Sequence, residues 1–408
     1  MRLKKNMIQL ARDYKPRVLL VYRRYSSSFV SYPWVLARDG KVIVDTISPV
    51  GHLINHSVWV NERIKITQFE DFLDRLCEVL REGDYDELLC IDEPSRTLVL
   101  EGADRTELAP YMPFDPDSPL QKAATNKTAF HDWCASVGLD SPISQNYATS
   151  DAVREAVSGL DYPFVLKAAE SAGGKHVFIV RSPKDLEAGL GFLPSETEWI
   201  LQEYLGSLAG TSIFMAREGK LYAHCSFENI VCMAGGVGPS AVCNQVESEA
   251  LNALIQKVAQ HVDGLTGFDW MRREDGSYVL IDPHFGRVAP TGVCAHLLGV
   301  DFGQAYYDSY QGTFSPSKYT KACSVVWMFP QILNLALSRD FRSAWRLQNP
   351  FSRGVKCFYF AKGEWRIFIL QLTDYFVSQI RISIGRWRNH LTGRPLKQES
   401  TTSSGKSS

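Results

Sequence analysis

A chain of 408 residues exceeds one ordinary domain and suggests two to three. Its 45% hydrophobic and 22% charged residues are those of a soluble globular protein, and a formal net charge of −1 argues against a dedicated nucleic-acid binder. Nine scattered cysteines form no C-x-x-C pair. Cys225, Cys232 and Cys243, the closest group, lack zinc-ligand spacing, which predicts free or buried thiols in a reducing cytosol.

The basic lead Met1–Tyr22 has its apolar run broken by Arg12, Asp13 and Lys15, so no signal peptide is expected. Nowhere do ~18 uninterrupted apolar residues occur, so no transmembrane helix is expected either. Arg17–Tyr22 (RVLLVY) and Lys41–Ile47 (KVIVDTI) read as short buried strands, Phe69–Leu80 has helical spacing, and Tyr85–Asp92 (YDELLCID) reads as a strand ending in acids. This alternation predicts a small parallel α/β unit over 1–119. Lys127–Val137 reads as a helix stopped by Gly138. Pro163–Lys167 and Val177–Arg181 read as strands, followed by a helix that Ser182-Pro183 starts. Trp199–Tyr204 and Ser212–Arg217 are further strands, and Glu247–Val262 is a helix. The tail from Ser400 is low in complexity and is expected to be disordered.

Phe268–Arg287 (FDWMRREDGSYVLIDPHFGR) carries the most chemistry. Glu274-Asp275-Gly276-Ser277 is turn chemistry, because Asp-Gly supplies the positive-φ positions of a tight hairpin. Pairing across it brings Asp269 near Asp282, and His284, two residues further on, shares a strand face with Asp282. Neighbouring carboxylates repel unless a cation lies between them or one is protonated. An oxygen-rich site of this kind suits magnesium, above all with a phosphate completing the shell. The alternative is a surface hairpin with solvated acids.

The segment between the Pro163 and Val177 strands carries Ser171, Gly173, Gly174 and Lys175, with Lys167 at the end of the first strand. Glycines let backbone N–H groups approach an anion, and a lysine beside them places a cation there. A plain glycine hairpin with surface lysines is the alternative. Neither a Walker A motif nor a G-x-G-x-x-G fingerprint is present.

The order of these parts, with Lys127 on its helix, Gln202–Leu205 at the end of a strand and Gly235–Gly238 before the acid hairpin, resembles the ATP-grasp superfamily. That is the fold of D-alanine–D-alanine ligase, biotin carboxylase and carbamoyl phosphate synthase, and the resemblance covers roughly 126–299. It implies an α/β (α+β) architecture: a Rossmann-like pre-ATP-grasp domain (1–119), a first subdomain with the phosphate loop (120–205), a second with the metal hairpin (206–310), a basic aromatic extension (311–399) and a tail (400–408). It implies ATP and Mg2+, or Mn2+, as cofactors. Lys127 and Lys167 match the lysines on the nucleotide phosphates, and Ser171, Gly173, Gly174 and Lys175 match the phosphate flap. Gln202, Glu203, Tyr204 and Leu205 match the adenine hinge. Asp269, Asp282 and His284 match the metal ligands, and Lys167, with Arg287 one residue later than the family's arginine, corresponds to the groups acting on phosphate or substrate. His284 stands where the family has asparagine, and Asp282 where it has glutamate. No acid occupies Ala209–Gly210, where a ribose-binding acid is expected.

The implied reaction is ligation of a small-molecule carboxylate to an amine through an acyl phosphate, in the cytoplasm. A nucleotide-binding module without turnover and an ATP-grasp phosphotransferase are the alternatives. His131, His176 and His224 are further contact candidates, although a lone histidine is more often structural. From Gln331 onward 13 basic residues face 4 acidic ones, against 31 and 41 in the first 330. Within this stretch Glu364–Leu391 is apolar and aromatic, with Arg366, Arg381, Arg386 and Arg388. It reads either as a helix at an anionic membrane surface or as a helix packed on the core or on a second subunit of a homo-oligomer.

Overall fold

Residues 14–24, 29–168, 177–192, 198–206, 208–232, 240–315, 324–327, 353–358, 360–373 and 376–377 are described by a computed structural model. In the first layer, β1 (Arg17–Val21), α1 (Tyr32–Ala37), β2 (Ile43–Pro49), β3 (Arg63–Ile66), α2 (Phe72–Glu82), β4 (Glu87–Cys90) and α3 (Glu93–Glu101) follow one another. The four strands are all parallel, in the order β3-β2-β1-β4. A parallel sheet covered on both faces needs strands apolar on both sides, and β1 shows why. Leu19 and Val21 enter one core with Phe72 and Leu76 of α2, while Val18 and Leu20 enter a second core with Ile213, Val293 and Phe302. That second core joins the layer to the rest of the molecule.

After α4 (Leu120–Ala123) and α5 (Lys127–Ser136) come β5 (Ser144–Tyr147), α6 (Ser150–Val157), β6 (Phe164–Ala168), β7 (Val177–Val180), α7 (Pro183–Leu190) and β8 (Trp199–Glu203). These strands form an antiparallel sheet, β5-β8-β6-β7. Phe164, Leu166, Trp199 and Leu201 pack one face against Val153, Val157, Leu186 and Leu190 of α6 and α7. By the two-residue alternation of strands, Val165, Lys167, Ile200 and Gln202 occupy the other face.

The largest sheet is built from β9 (Ala209–Arg217), β10 (Lys220–Cys232), β11 (Ser240–Gln245), β12 (Gly264–Arg272), β13 (Tyr278–Pro283), β14 (Ser324–Trp327) and β15 (Val355–Phe358). Its order is β13-β12-β9-β10-β11-β14-β15, so strands past residue 310 extend its edge. The helix α8 (Glu249–Ala259), with α5, covers one face through Leu251, Ile255, Phe130 and Trp133. The opposite face meets the second core, to which the 3-10 turns of Pro290–Leu298 and α9 (Phe302–Gln311) belong.

The sequence-based strand over 85–92 stops at Cys90 for a definite reason. Asp92 leaves the strand to cap α3, its Oδ1 accepting from Ser95 N at 2.8 Å while its own N–H meets the Ser95 hydroxyl. Cys77, Cys90, Cys134, Cys225 and Cys294 are free, buried thiols, while Cys243 is buried and Cys357 partly exposed. No described helix is long and apolar enough to cross a membrane.

Candidate active site

The hairpin at the sheet edge closes through Arg273 N to Ser277 O at 2.8 Å, with Gly276 at φ +86°. The sequence reading assigned positive φ to the Asp-Gly pair, yet only Gly276 adopts it. Asp275 instead accepts from Ser277 N (2.9 Å) and Oγ (2.7 Å), organising the turn through its side chain. Asp269 pairs with Asp282 as expected, but by a device the simple alternation does not include. The next pair is Trp270 with Leu280, so Ile281 is an extra residue in β13. That bulge lets Leu280 stay in the core with Trp270 and Phe268 while Asp282 faces the same side as Asp269.

Asp269 is held from two sides. Thr211, its register partner on β9, donates its hydroxyl to Oδ1 at 2.6 Å, and His284 Nε2 lies 3.4 Å from Oδ2. Burial raises the Asp269 carboxyl, but the His284 ring, the Thr211 hydroxyl and the Arg287 guanidinium outweigh it and leave the group below the usual carboxylate value. His284 is fixed by its backbone, which donates to Gly267 O (2.9 Å) and accepts from Thr266 Oγ1 (3.0 Å) and Arg287 N (2.9 Å). One ligand atom from each of Asp269, Asp282 and His284 lies within 4.8 Å of the others, a spacing that fits a divalent cation. Two carboxylates and one imidazole form the donor set.

Cations approach from the other elements. Lys127 opens α5 just after Asn126, whose Oδ1 caps the helix by accepting from Ala129 N at 3.0 Å. Its Nζ stands 3.8 Å from Asp282 Oδ1. Lys167, on the cleft face of β6, is only 4% exposed. Burial and the neighbouring Lys127 charge pull its ammonium down to about 7, against the opposing effect of Asp282. His131 lies one turn along α5, both ring nitrogens buried without a partner. Burial, then Lys167 and Lys127, lower it to about 3. A helix N-terminus, two lysines and two metal-type acids therefore converge, an arrangement suited to a polyphosphate with its counter-ion.

The first layer completes the site. After β13 the chain turns through Gly286 (φ +76°) and bridges in parallel to Cys90 at the end of β4. Arg287 Nε then stands 2.6 Å from Glu93 Oε2 at the start of α3. Arg96 forms an ion pair with Glu93 and donates to Pro283 O at 2.9 Å. Burial raises Glu93, but Arg287 and Arg96 overcome this and hold it at about 2. A cleft lined by Glu93, Arg96, Thr125, Asn126, Lys127 and Asp282 opens here. Crevices at the carboxyl ends of parallel strands are where α/β proteins commonly bind ligands.

The structure thus brings Lys127, Lys167, Asp269, Asp282, His284 and Arg287 together. Gln202 lies on the same face as Lys167, buried, with Oε1 unpartnered. Glu203 is differently engaged, its carboxylate accepting from Ile143 N at 2.8 Å and pairing with Arg273 at 2.9 Å, which ties the small sheet to the hairpin. Tyr204 and Leu205 follow β8, both partly exposed. Ser171, Gly173, Gly174, Lys175, His176 and Gly235–Gly238 lie outside the described residues. His224 sits on β10 opposite Phe214, three register steps from Thr211. The absence of an acid near Gly210 has a steric basis: a Cβ there would lie 2.2 Å from the Trp270 ring and 2.3 Å from Phe227 O. Sequence reasoning missed Thr211, Glu93 and Arg96. For the last two a signal existed, since Asp92-Glu93-Pro94 after an apolar strand marks a capped helix start.

No family model and no curated protein matches the sequence. Solved structures do match. An N5-carboxyaminoimidazole ribonucleotide synthetase in complex with ADP superposes with a TM-score of 0.61 at 15% identity, over 82% of this chain and 85% of that one. An L-amino acid ligase from Bacillus licheniformis gives 0.56 at 13%, over 77% and 80%. The biotin carboxylase of Campylobacter jejuni gives 0.56 at 12%, over 76% and 75%. The chain has the ATP-grasp fold of these ligases.

Proposed function

We propose that this protein is an ATP-dependent ligase that joins a carboxylate to an amine through an acyl phosphate. The observation that supports it most is the convergence of Lys127 and Lys167 on the acid hairpin of Asp269, Asp282 and His284. A carboxylate oxygen attacks the γ-phosphorus, the bond to the β,γ-bridging oxygen breaks, and ADP leaves. The amine nitrogen then attacks the acyl carbon, the carbon–oxygen bond to phosphate breaks, and the amine gives up a proton as phosphate departs. A magnesium ion held by Asp269, Asp282 and His284 would supply charge neutralisation on the phosphates.

The protein's own part is positioning and electrostatics. Lys127 and Lys167 set cations beside the phosphates. Gln202 and the apolar residues of its sheet face offer a platform for the base, and Arg287, braced by Glu93, reaches toward the transferred group. No dedicated nucleophile is required. The test is ADP release on a panel of amino acids and small carboxylates, with each candidate amine added in turn. Turnover requiring both partners supports ligation, while ADP release with phosphate retained on one stable product points to a phosphotransferase. A second reading, nucleotide binding without turnover, draws on Trp270 filling the space at Gly210 and on His284 in the ligand set. Nucleotide binding with no ADP release on any pair would favour it.

A further inference from the structure

Glu364 and the helix over 365–373 dock on the first layer. The Glu364 carboxylate bonds the Ser57 hydroxyl, Trp59 Nε1 donates to Lys362 O at 2.7 Å, and Ile367 is 2% exposed in the second core. One face of the helix is therefore used. Trp365 and Ile369, one turn apart on another face, are 63% and 49% exposed, and Val58, whose Cγ2 would lie 3.3 Å from a Cβ placed on Gly363, is 62% exposed. Large apolar side chains this exposed, gathered on one surface, mark a contact face. Its surroundings are cationic: Arg63, Lys65 and Arg366 all act on His56, and Lys362 is exposed beside Trp59.

We propose that this face seats on an anionic lipid bilayer, with Trp365, Ile369 and Val58 in the headgroup–acyl boundary and Lys65, Lys362 and Arg366 against the lipid charges. Charge decides between lipid and a second copy of the chain. A symmetric contact places each patch on its own image, so the same cations would face one another around only three apolar side chains. An anionic bilayer turns those cations into attractions, and a tryptophan with one polar atom suits that interface. The remaining basic residues from Gln331 onward carry the same sign.

Flotation of the full-length protein with phosphatidylcholine vesicles, alone or mixed with phosphatidylserine, tests the proposal at low salt. The wild type is expected to float with the anionic vesicles only. Lys65→Gln and Arg366→Gln should each lower partitioning about fivefold, the equivalent of ~1 kcal/mol per surface cation. Trp365→Ser with Ile369→Ser should abolish it, with melting temperature and nucleotide binding retained as the check on folding. Equal flotation of these variants and the wild type would overturn the assignment, as would no flotation of the wild type. Sedimentation showing a dimer that Trp365→Ser dissolves would hand the face to a second copy instead.

Discussion

Arg287 Nε lies 2.6 Å from Glu93 Oε2, and this ion pair joins the start of α3 in the first layer to the turn that follows the acid hairpin. Glu93 also holds Arg96, which grips the hairpin through Pro283 O. The two layers thus meet through one carboxylate between two guanidiniums. Glu93→Gln leaves both cations underpaired, and a loss of ~2 kcal/mol is expected, below that of a fully buried pair because Glu93 retains some exposure. The sign with pH follows from its depressed value. The stabilisation is complete above the ordinary glutamate range and is lost as pH falls toward about 2. Acid unfolding followed by circular dichroism should show a flatter acid limb for the variant than for the wild type.

Lys167 predicts a proton uptake. With its ammonium at about 7 it is largely neutral at pH 8, and a polyphosphate beside it restores the charged form. Nucleotide binding at pH 8 should therefore consume a proton, read by calorimetry in two buffers of different ionisation enthalpy. Lys167→Ala should remove the buffer dependence and weaken binding. In the free protein the same shift has the unfolded chain holding the extra proton between about 7 and the ordinary lysine value, so stability contributed by this group rises with pH across that window.

His284 predicts a metal preference. An imidazole nitrogen in the ligand set favours manganese over magnesium, relative to an oxygen ligand. His284→Asn should raise magnesium-supported ADP release relative to manganese. An unchanged metal preference would leave the site with its two aspartates alone.

Gly210 predicts a steric penalty. With Trp270 and Phe227 O at 2.2 and 2.3 Å from any added Cβ, Gly210→Ala should cost about 1–3 kcal/mol by overpacking. Chemical denaturation measures it directly, and a neutral substitution would mean that Trp270 moves freely.

The legible part of the molecule was the part written locally. β1, β2, α5 and β6 announce themselves by apolar runs or helical spacing close to their observed bounds, whereas β12 begins at Gly264, four residues before the apolar run at Phe268. Lys127 and Lys167 could be placed because each sits at the edge of such an element. The unreadable part is tertiary. Thr211 looks like an ordinary strand residue until register sets it opposite Asp269, and Glu93 becomes part of the site only because the chain after β13 returns to β4. The bulge at Ile281 likewise has no local signature, since it is fixed by the competing demands of Leu280 in the core and Asp282 in the cleft.

ATP affinity with and without magnesium, for the wild type and for Asp269→Asn with Asp282→Asn, bears most directly on the central claim. Bare carboxylates facing a triphosphate repel it, and a cation between them reverses the sign. The wild type should bind ATP tightly only when magnesium is present, and the doubly substituted protein should lose that dependence. Equal wild-type affinity in both conditions would contradict the account.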